Sequence, residues 1–357
     1  MRRIGFILVI CSSLLSGCWD EQQYKDVTNV SLVGIEGRPG NIKSQFAFPI
    51  FEDGSISYST ETGSGITTRG AKNSTNTSEG LDIAELQVLL LAGDSAKSDL
   101  YQYLDIFYRD PRNRLSAHLA IVEGEIAPYF ELPEDKGKDV AAYYMELIDT
   151  AIKYSLIPKI DLQQVCTLLF TEDMSLALPY IKVGKESGVP EIIGTALFNK
   201  NEFTGEFLER KDSELLNLLK NKKGKYMRLE YLWKNDGEES PLAISVLSIK
   251  KDWEISDNKI DASYKLKVSI EEFPHDSLNK KKILKEVEDF LSKELEKDLT
   301  SVIKRLQEAK SDAVGFGRPV RAFHPKLWEQ GEWTDTFSKL PIHVKVEAEV
   351  TRSGILN

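Results

Sequence analysis

The most regular pattern of hydrophobic and polar positions lies in the last hundred residues of the chain. Apolar residues alternate with polar ones from Ile260 to Ile270 and again from Ile342 to Val350. This alternation predicts two strands, each with one face exposed to solvent, as antiparallel sheets allow. Residues 277–310 lie between them, contain no Gly or Pro, and predict a long amphipathic helix because their apolar residues recur at steps of mostly three and four. That stripe consists of Ile283, Val287, Phe290, Leu291, Leu295, Leu299, Val302 and Leu306.

The use of this apolar stripe decides the architecture of the C-terminal part. A one-sided helix that lies on a one-sided sheet buries both apolar faces, and we expect this arrangement here. The alternative is that the stripe packs against a partner helix in a coiled coil.

The middle of the chain, residues 191–256, predicts a small α+β domain. A hairpin is expected first, then a short helix and two strands. In the second of these strands the apolar positions shift by one residue between Val246 and Leu247, which suggests a β-bulge. The predicted elements are Glu191–Lys200, Thr204–Glu209, Ser213–Lys220, Arg228–Trp233 and Leu242–Lys250.

The N-terminal part predicts a mixed α/β domain that contains a strand–helix–strand unit. Leu86–Ala92 and Leu115–Val122 are apolar runs of strand length, and a helix from Asp94 to Tyr108 is expected between them. Residues 53–79 are rich in Ser, Thr, Gly and Asn and predict a long loop or an irregular β excursion. The remaining elements expected here are strands Thr28–Glu36 and Ile42–Phe51 and helices Val140–Tyr154 and Asp161–Glu172.

Together these patterns predict an α+β fold of three mixed α/β domains, the C-terminal one an antiparallel sheet packed on a long amphipathic helix. The expected division is 1–17, a signal peptide; 18–190, the N-terminal domain; 191–256, the middle domain; and 257–357, the C-terminal domain.

The N-terminus predicts export and a lipid anchor. Two arginines follow Met1, and an apolar run from Ile4 to Leu15 has the length of a signal-peptide h-region. The run is too short to span a bilayer, which takes roughly 20 apolar residues. It ends in Leu15-Ser16-Gly17-Cys18, which resembles the lipobox of bacterial prelipoproteins. That resemblance implies a diacylglyceryl group on the Cys18 thiol, cleavage before Cys18 and an N-acyl chain there; a plain signal peptide with a chance cysteine is the alternative.

Charge and cysteine usage agree with a body held outside the cell by lipid alone. Two acyl chains anchor stably, whereas one binds marginally. Removal of residues 1–17 takes two arginines from a chain of net charge −10 and leaves −12. A chain this acidic is not expected to bind nucleic acid or an anionic lipid surface. Of the three cysteines, Cys11 leaves with the signal and Cys18 carries lipid, so Cys166 remains alone, and we expect a buried, inert thiol.

No catalytic, metal or cofactor motif is found in the sequence. The four histidines, His118, His275, His324 and His343, have no metal-ligand spacing, and no nucleophile elbow or P-loop occurs. Gly315-Phe316-Gly317 lacks the third glycine of a dinucleotide fingerprint. We therefore expect a protein that is not an enzyme and has no cofactor. His118 is expected at the core or edge of a strand, and His343 on the polar face of the last strand.

Three aromatic residues, Trp328, Trp333 and Phe337, follow two prolines at steps of five and four. They could form an aromatic binding platform or a set of large core residues between the long helix and the last strand. The core interpretation is favoured, because aromatic side chains bury large areas.

Several stretches together resemble the GerAC, or Ger(x)C, family of spore-germination lipoproteins. The resemblance runs from the signal peptide to the last residues, but apart from the lipobox its motifs are loose hydrophobic and glycine patterns. Residues 53–79 correspond to nothing in the family. The matching residues are Gly17-Cys18-Trp19-Asp20; Ala196-Leu197-Phe198 with Gly205; Asp312-Ala313-Val314-Gly315-Phe316-Gly317; Pro325, Trp328, Trp333 and Phe337; and Thr351-Arg352-Ser353-Gly354.

This resemblance implies the C subunit of a nutrient germinant receptor. Such a protein would lie on the outer face of the spore inner membrane and act with integral membrane A and B subunits. Only Cys18 carries over from the family as a functional residue. The alternatives are a solute-binding lipoprotein of an uptake system and, less favoured, a cell-wall hydrolase.

Overall fold

The structure, a computed structural model, describes residues 27–52, 55–77, 79–133, 139–235, 238–274, 278 and 280–352. Within these residues the strands form an eight-stranded sheet, a four-stranded sheet and a two-stranded ladder. The strands are β1 Val27–Asn29, β2 Leu32–Arg38, β3 Asn41–Glu52, β4 Ser55–Gly65, β5 Gly80–Asp82, β6 Val88–Ala92, β7 His118–Val122, β8 Ala177–Val183, β9 Pro190–Asn199, β10 Glu202–Glu209, β11 Arg228–Asn235, β12 Glu238–Ile255, β13 Ile260–Glu272 and β14 Ile342–Arg352.

The eight-stranded sheet has the order β10-β9-β8-β7-β6-β2-β3-β4. Its four central strands are parallel, and antiparallel strands extend it on both sides. β6 is buried along its whole length, as a parallel strand covered by helices on both faces must be. β6 and β7 pair in parallel, which confirms the predicted strand–helix–strand unit.

Helices cover both faces of this sheet. α3 (Tyr101–Arg109) and α5 (Leu162–Leu169) pack on one face, and α4 (Val140–Lys153) packs on the other together with a 3₁₀ turn at Ala127–Phe130. The Asp161 side chain begins α5 with a capping box to Gln164, and the Asp139 side chain caps α4. The helices of this part are α1 Thr68–Asn73, α2 Gly93–Ala96, α3 Tyr101–Arg109, α4 Val140–Lys153 and α5 Leu162–Leu169.

Two local predictions in this part were wrong. The helix expected from Asp94 to Tyr108 is divided into α2 and α3. The segment 53–79, expected as a loop or irregular excursion, contains the regular edge strand β4 and the helix α1. Its glycines allow close packing: a Cβ on Gly63 would lie 1.9 Å from the carbonyl oxygen of Ala71 in α1.

The four-stranded sheet has the order β11-β12-β13-β14. β11, β12 and β13 are antiparallel, and the register shift between Val246 and Ser248 confirms the predicted bulge. β14 runs parallel to β13, because the long helix α7 (Lys281–Glu308) returns the chain to the end at which β13 began. The helices of this part are α6 Arg210–Lys220, α7 Lys281–Glu308, α8 Gly317–Phe323, α9 Pro325–Trp328 and α10 Trp333–Phe337.

The α7 stripe lies against the inner face of this sheet, which confirms the predicted fold class. Leu291, Leu295 and Leu299 are fully buried there, so the stripe is occupied within the chain and the coiled-coil alternative was wrong. Polar side chains of α7 also cover the free edge of β14. Glu288 and Ser292 accept hydrogen bonds from alternate backbone N–H groups of this strand at 3.0 Å each. An edge covered in this way cannot pair with another chain.

The predicted middle domain, 191–256, is divided between the two sheets. β9 and β10 pair as the predicted hairpin and extend the eight-stranded sheet, whereas β11 and β12 belong to the four-stranded sheet. The intervening helix α6 packs in a core cluster that includes residues of both sheets. The boundaries at residues 190 and 256, as limits of independently folding units, stay a prediction.

Candidate functional site at the Asp312 junction

Cys18, the predicted lipid attachment site, lies outside the described residues, so its role stays a prediction. In the part of the chain that the structure describes, no helix is long and apolar enough to cross a membrane.

The isolated candidate residues have ordinary partners. His118 begins β7, and its Nε2 lies 3.2 Å from Asp149, while His343 on the exposed face of β14 lies 2.9 Å from Asp261. Both positions agree with the sequence interpretation. Cys166 on α5 is only partly buried, not buried as expected, and burial raises the pKa of its thiol. The described residues contain no group of three or more His, Cys, Asp and Glu side chains that could hold a metal ion.

The most unusual group in the structure is the Asp312 carboxylate, which is completely buried. Its Oδ1 accepts hydrogen bonds from the backbone N–H of Gly315 and Phe316 at 2.8 and 3.1 Å. Its Oδ2 accepts from the N–H of Gly317 at 2.7 Å and from the indole Nε1 of Trp333 at 2.9 Å. Burial raises the pKa of the carboxyl, and the four donors oppose this shift because they stabilise the anion.

Two glycines make this arrangement possible. Gly315 has φ +89°, a conformation that residues with a side chain rarely adopt. A Cβ on Gly317 would lie 2.5 Å from both the Asp173 carbonyl oxygen and the Trp333 indole nitrogen. The Gly-Phe-Gly sequence therefore lets the chain turn tightly around the carboxylate.

The loop that carries Asp312 also joins distant parts of the chain; we call this region the Asp312 junction, residues 312–317 with their contacts to Ser175 and Lys220. The Ser175 N–H, just before β8, donates to the Asp312 carbonyl oxygen at 3.0 Å. The ammonium of Lys220, at the end of α6, donates to the Ala313 carbonyl oxygen at 2.5 Å. The junction thus connects the eight-stranded sheet, α6 and the helices after α7.

The aromatic residues beside the junction have different environments. Trp333 and Phe337 are buried, with ring centroids 6.1 Å apart, which confirms the core interpretation for them. Trp328 stacks on Trp333 at 5.7 Å but is partly exposed. Together with Phe170, which is 69% exposed, it lines a cleft of about 510 Å³ between the N-terminal part and α9. Trp333 also lines this cleft but is only 3% exposed, so the exposed aromatic surface comes mainly from Trp328 and Phe170.

A second cleft beside the junction, of about 460 Å³, is strongly basic, and we call it the basic cleft. It is bounded by the α4–α5 connection, the Ser175 loop, the end of α6 and the start of α8. Its fourteen lining residues include five cationic side chains and no Asp or Glu. The cations are Lys159, Lys220, Lys222, Lys223 and Arg318.

The electrostatics of Lys220 follow from this position. Burial lowers the pKa of Lys220 to about 8, the charge of Asp312 opposes this, and Arg318, Lys251 and Lys222 lower it further. The basic cleft was not predicted from the sequence, because its cations come from three distant segments, at Lys159, Lys220–Lys223 and Arg318. The basic run at residues 220–223 is a local signal that could have indicated part of it.

The junction joins distant elements of the fold, and the cleft beside it presents positive charge. Both oxygens of Asp312 are occupied by two donors each, so the carboxylate is held in place and is not directed at a substrate. The basic cleft offers positive charge and hydrogen-bond donors, which suit the binding of anions.

The sequence matches two family profiles in succession. Residues 20–183 match the profile described as "Spore germination protein N-terminal domain". Residues 193–354 match the profile described as "Spore germination B3/ GerAC like, C-terminal". Together they span the eight-stranded sheet, the Asp312 junction and the four-stranded sheet.

Full-length relatives agree with these matches. The chain is 24% identical to "Spore germination protein GerQC" of Bacillus cereus, over 98% of each chain. It is also 24% identical to "Spore germination protein KC" of Bacillus subtilis (strain 168), over 99% of this chain and 96% of the relative. The solved structure titled "Crystal Structure of the GerBC protein" superposes with a TM-score of 0.55 and 18% identity, over 90% of this chain and 97% of the other, which shows a shared fold.

Proposed function

Because the chain belongs to the GerAC family of spore germination proteins, we propose that it is the lipid-anchored, non-catalytic C subunit of a germinant receptor. In this role it acts with integral membrane A and B subunits in nutrient-triggered germination. The observation that carries the proposal is the match to both family profiles, in order, along nearly the whole chain. Relatives that are named as germination proteins and align over nearly their whole length support it.

The proposed anchor is Cys18, S-diacylglycerylated and N-acylated, on the extracytoplasmic face of the spore inner membrane. The charged start, the apolar run and Leu15-Ser16-Gly17-Cys18 support this site. Two acyl chains are enough for stable attachment. The acidic body of the chain, with net charge −12 after cleavage, is repelled by anionic headgroups and would extend away from the bilayer.

A non-catalytic role is supported by the chemistry of the buried polar centre at Asp312. Asp312 accepts four hydrogen bonds and connects elements of the fold. The arrangement suits a protein whose surfaces contact partner subunits, with the junction keeping those surfaces in a defined orientation.

A solute-binding lipoprotein remains the alternative function, but the topology disfavours it. Proteins of that class have two doubly wound lobes with parallel sheets. Here the eight-stranded sheet has a parallel centre with helices on both faces, whereas three of the four strands in the second sheet are antiparallel. Calorimetry with amino acids and sugars would separate the two functions, since tight binding of such a nutrient by the purified chain favours solute uptake.

The experiment that tests the proposal is nutrient-triggered germination of spores of the native host that carry Cys18→Ala. Wild type, a deletion and Cys166→Ala are compared, the last being a matched loss of one thiol elsewhere. We expect Cys18→Ala to leave the precursor uncut or to release the chain from the membrane fraction. Both Cys18→Ala and the deletion should then lose the response to one nutrient class and keep the response to a non-nutrient trigger.

Two results would contradict the proposal. A mature-size Cys18→Ala product that stays fully on membranes would exclude lipid anchoring through Cys18. A deletion strain that germinates normally on every nutrient, with paralogous receptors also removed, would exclude the receptor function.

A further inference from the structure

We propose that the basic cleft is a binding site for a small hydroxylated organic anion that carries carboxylate or phosphate groups. The proposal goes beyond the role of a receptor subunit, and it stands on the charge, shape and unpaired polar atoms of the cleft.

The basic cleft concentrates positive charge. The whole chain has net charge −10, yet five cations line this one cleft without a carboxylate among its lining residues. Lys159, Lys222 and Lys223 make no ion pair with any other residue that the structure describes. Arg318 has a distant partner, since its Nε lies 3.8 Å from Asp173. Like charges that converge in a cleft repel one another, and a bound anion relieves this repulsion.

Two polar side chains that line the cleft have unused hydrogen-bonding capacity. The Lys220 ammonium has three donors, and one of them is used on the Ala313 carbonyl oxygen. Asn217 also lines the cleft and is 1% exposed, and its Nδ2 donates to the Ser155 carbonyl oxygen at 2.8 Å. Its Oδ1 accepts no hydrogen bond from the described residues. A buried acceptor without a donor is costly, and this oxygen is shielded from solvent in the structure. A rotation of the Asn217 side chain that brings Oδ1 to a ligand hydroxyl would therefore stabilise the complex.

The cleft also has the size of a small-molecule site and an apolar part in its lining. A volume of about 460 Å³ is within the range of small-molecule sites, which is roughly 300–1,000 Å³. Ile160, Leu168 and Met174 contribute apolar surface to the lining of the cleft. A fully hydrated inorganic ion gains nothing from this wall, whereas the carbon skeleton of an organic anion is desolvated against it. The ligand class is therefore organic.

The test uses the full chain, purified in a non-ionic detergent, with calorimetric titration at low ionic strength. Citrate is the main probe, and tricarballylate, which is citrate without its hydroxyl, is the matched ligand control. Pyrophosphate tests phosphate in place of carboxylate, and vesicles of phosphatidylglycerol and phosphatidylcholine test a lipid headgroup as the source of the anion.

The variant is Lys159→Gln/Lys222→Gln. Both lysines are exposed and make no ion pair with a described residue, so the fold should persist, which a melting curve checks. The control is Lys282→Gln/Lys326→Gln, which removes the same charge from side chains that are 87% and 83% exposed and lie away from the cleft. We expect saturable binding of citrate at one site, weakened about tenfold in the cleft variant and less than about twofold in the control.

Citrate should also bind more tightly than tricarballylate, because only citrate has a hydroxyl for Asn217 Oδ1. If the two double variants weaken citrate binding equally, only the net charge of the chain matters, and the basic cleft is not a specific binding site. Equal affinity for citrate and tricarballylate would overturn the hydroxyl assignment. If the chain binds the anionic vesicles but no soluble anion, a small soluble anion is excluded as the ligand of the cleft. None of these readouts depends on germination, so failure here leaves the proposed receptor function untouched.

Discussion

Replacement of Asp312 by Asn tests whether the junction is held by the charge and acceptor capacity of one carboxylate. Each carboxylate oxygen accepts two hydrogen bonds, from Gly315 and Phe316 on one side and from Gly317 and Trp333 on the other. Asn has nearly the same size but presents one oxygen and one NH₂ group. In either orientation of the amide, two buried donors face the NH₂ group and lose their acceptor.

The expected magnitude follows from these two donors. A buried donor left without a partner costs about 1–3 kcal/mol, so two of them cost about 2–6 kcal/mol. Loss of a buried charge opposes part of this cost, and we therefore expect the free energy of unfolding to fall by about 3 kcal/mol at pH 7. Asp312→Ala should cost more, since all four donors then lose their acceptor and a cavity forms.

The assay is equilibrium unfolding in urea, followed by tryptophan fluorescence, because Trp253, Trp328 and Trp333 surround the junction. Asp335→Asn is the matched control: this exposed carboxylate pairs with Lys310 at 2.6 Å, and its replacement should change the stability little because solvent screens the pair. A loss below about 1 kcal/mol for Asp312→Asn, equal to that of the control, would refute the reasoning, because the four hydrogen bonds would then not stabilise the fold.

Three further predictions concern other parts of the chain. Burial, and then the charge of Glu230, raise the pKa of Glu214 to about 7. The contribution of Glu214 to the free energy of unfolding is therefore complete below about pH 4.5, the pKa in the unfolded chain. It is lost as the pH rises through 7. Glu214→Gln should therefore raise the free energy of unfolding by roughly 1–2 kcal/mol at pH 8 and change it little at pH 4.5, and an equal effect at both pH values would contradict this. Cys166→Ala should leave germination unchanged because burial raises the pKa of the thiol, and a selective loss of germination at normal protein level would show a functional thiol. Ser292→Ala removes the acceptor of the Ala348 N–H at the sheet edge and should cost about 1 kcal/mol in urea unfolding; no loss would mean that water replaces the hydroxyl.

Local periodicity predicted the helices and strands in which buried positions recur at regular intervals along the chain. The α7 stripe, the alternation in β13 and the hairpin of β9 and β10 were all confirmed. These patterns are strong because each element has one buried face, and a period of 3.6 or 2 records that face directly in the sequence.

Glycine and polar residues gave weaker local signals. Residues 55–65 were expected in a long loop or an irregular β excursion, since Ser, Thr and Gly are common in turns, yet they form the regular edge strand β4. An edge strand needs no continuous apolar face, and its glycines serve close approach to α1 rather than a turn.

The sequence by itself thus determined the kind and approximate extent of most elements, the α+β class and, through its resemblance, the family. Only the tertiary structure decided that β14 is parallel to β13, that residues 191–256 are shared between two sheets, and that Asp312 lies at their junction. The reason is physical: periodicity records which face of an element is buried, but not which element covers it or in which direction it runs. The basic cleft has the same origin, because Lys159 and Arg318 join the basic run at Lys220–Lys223 only after distant segments pack together.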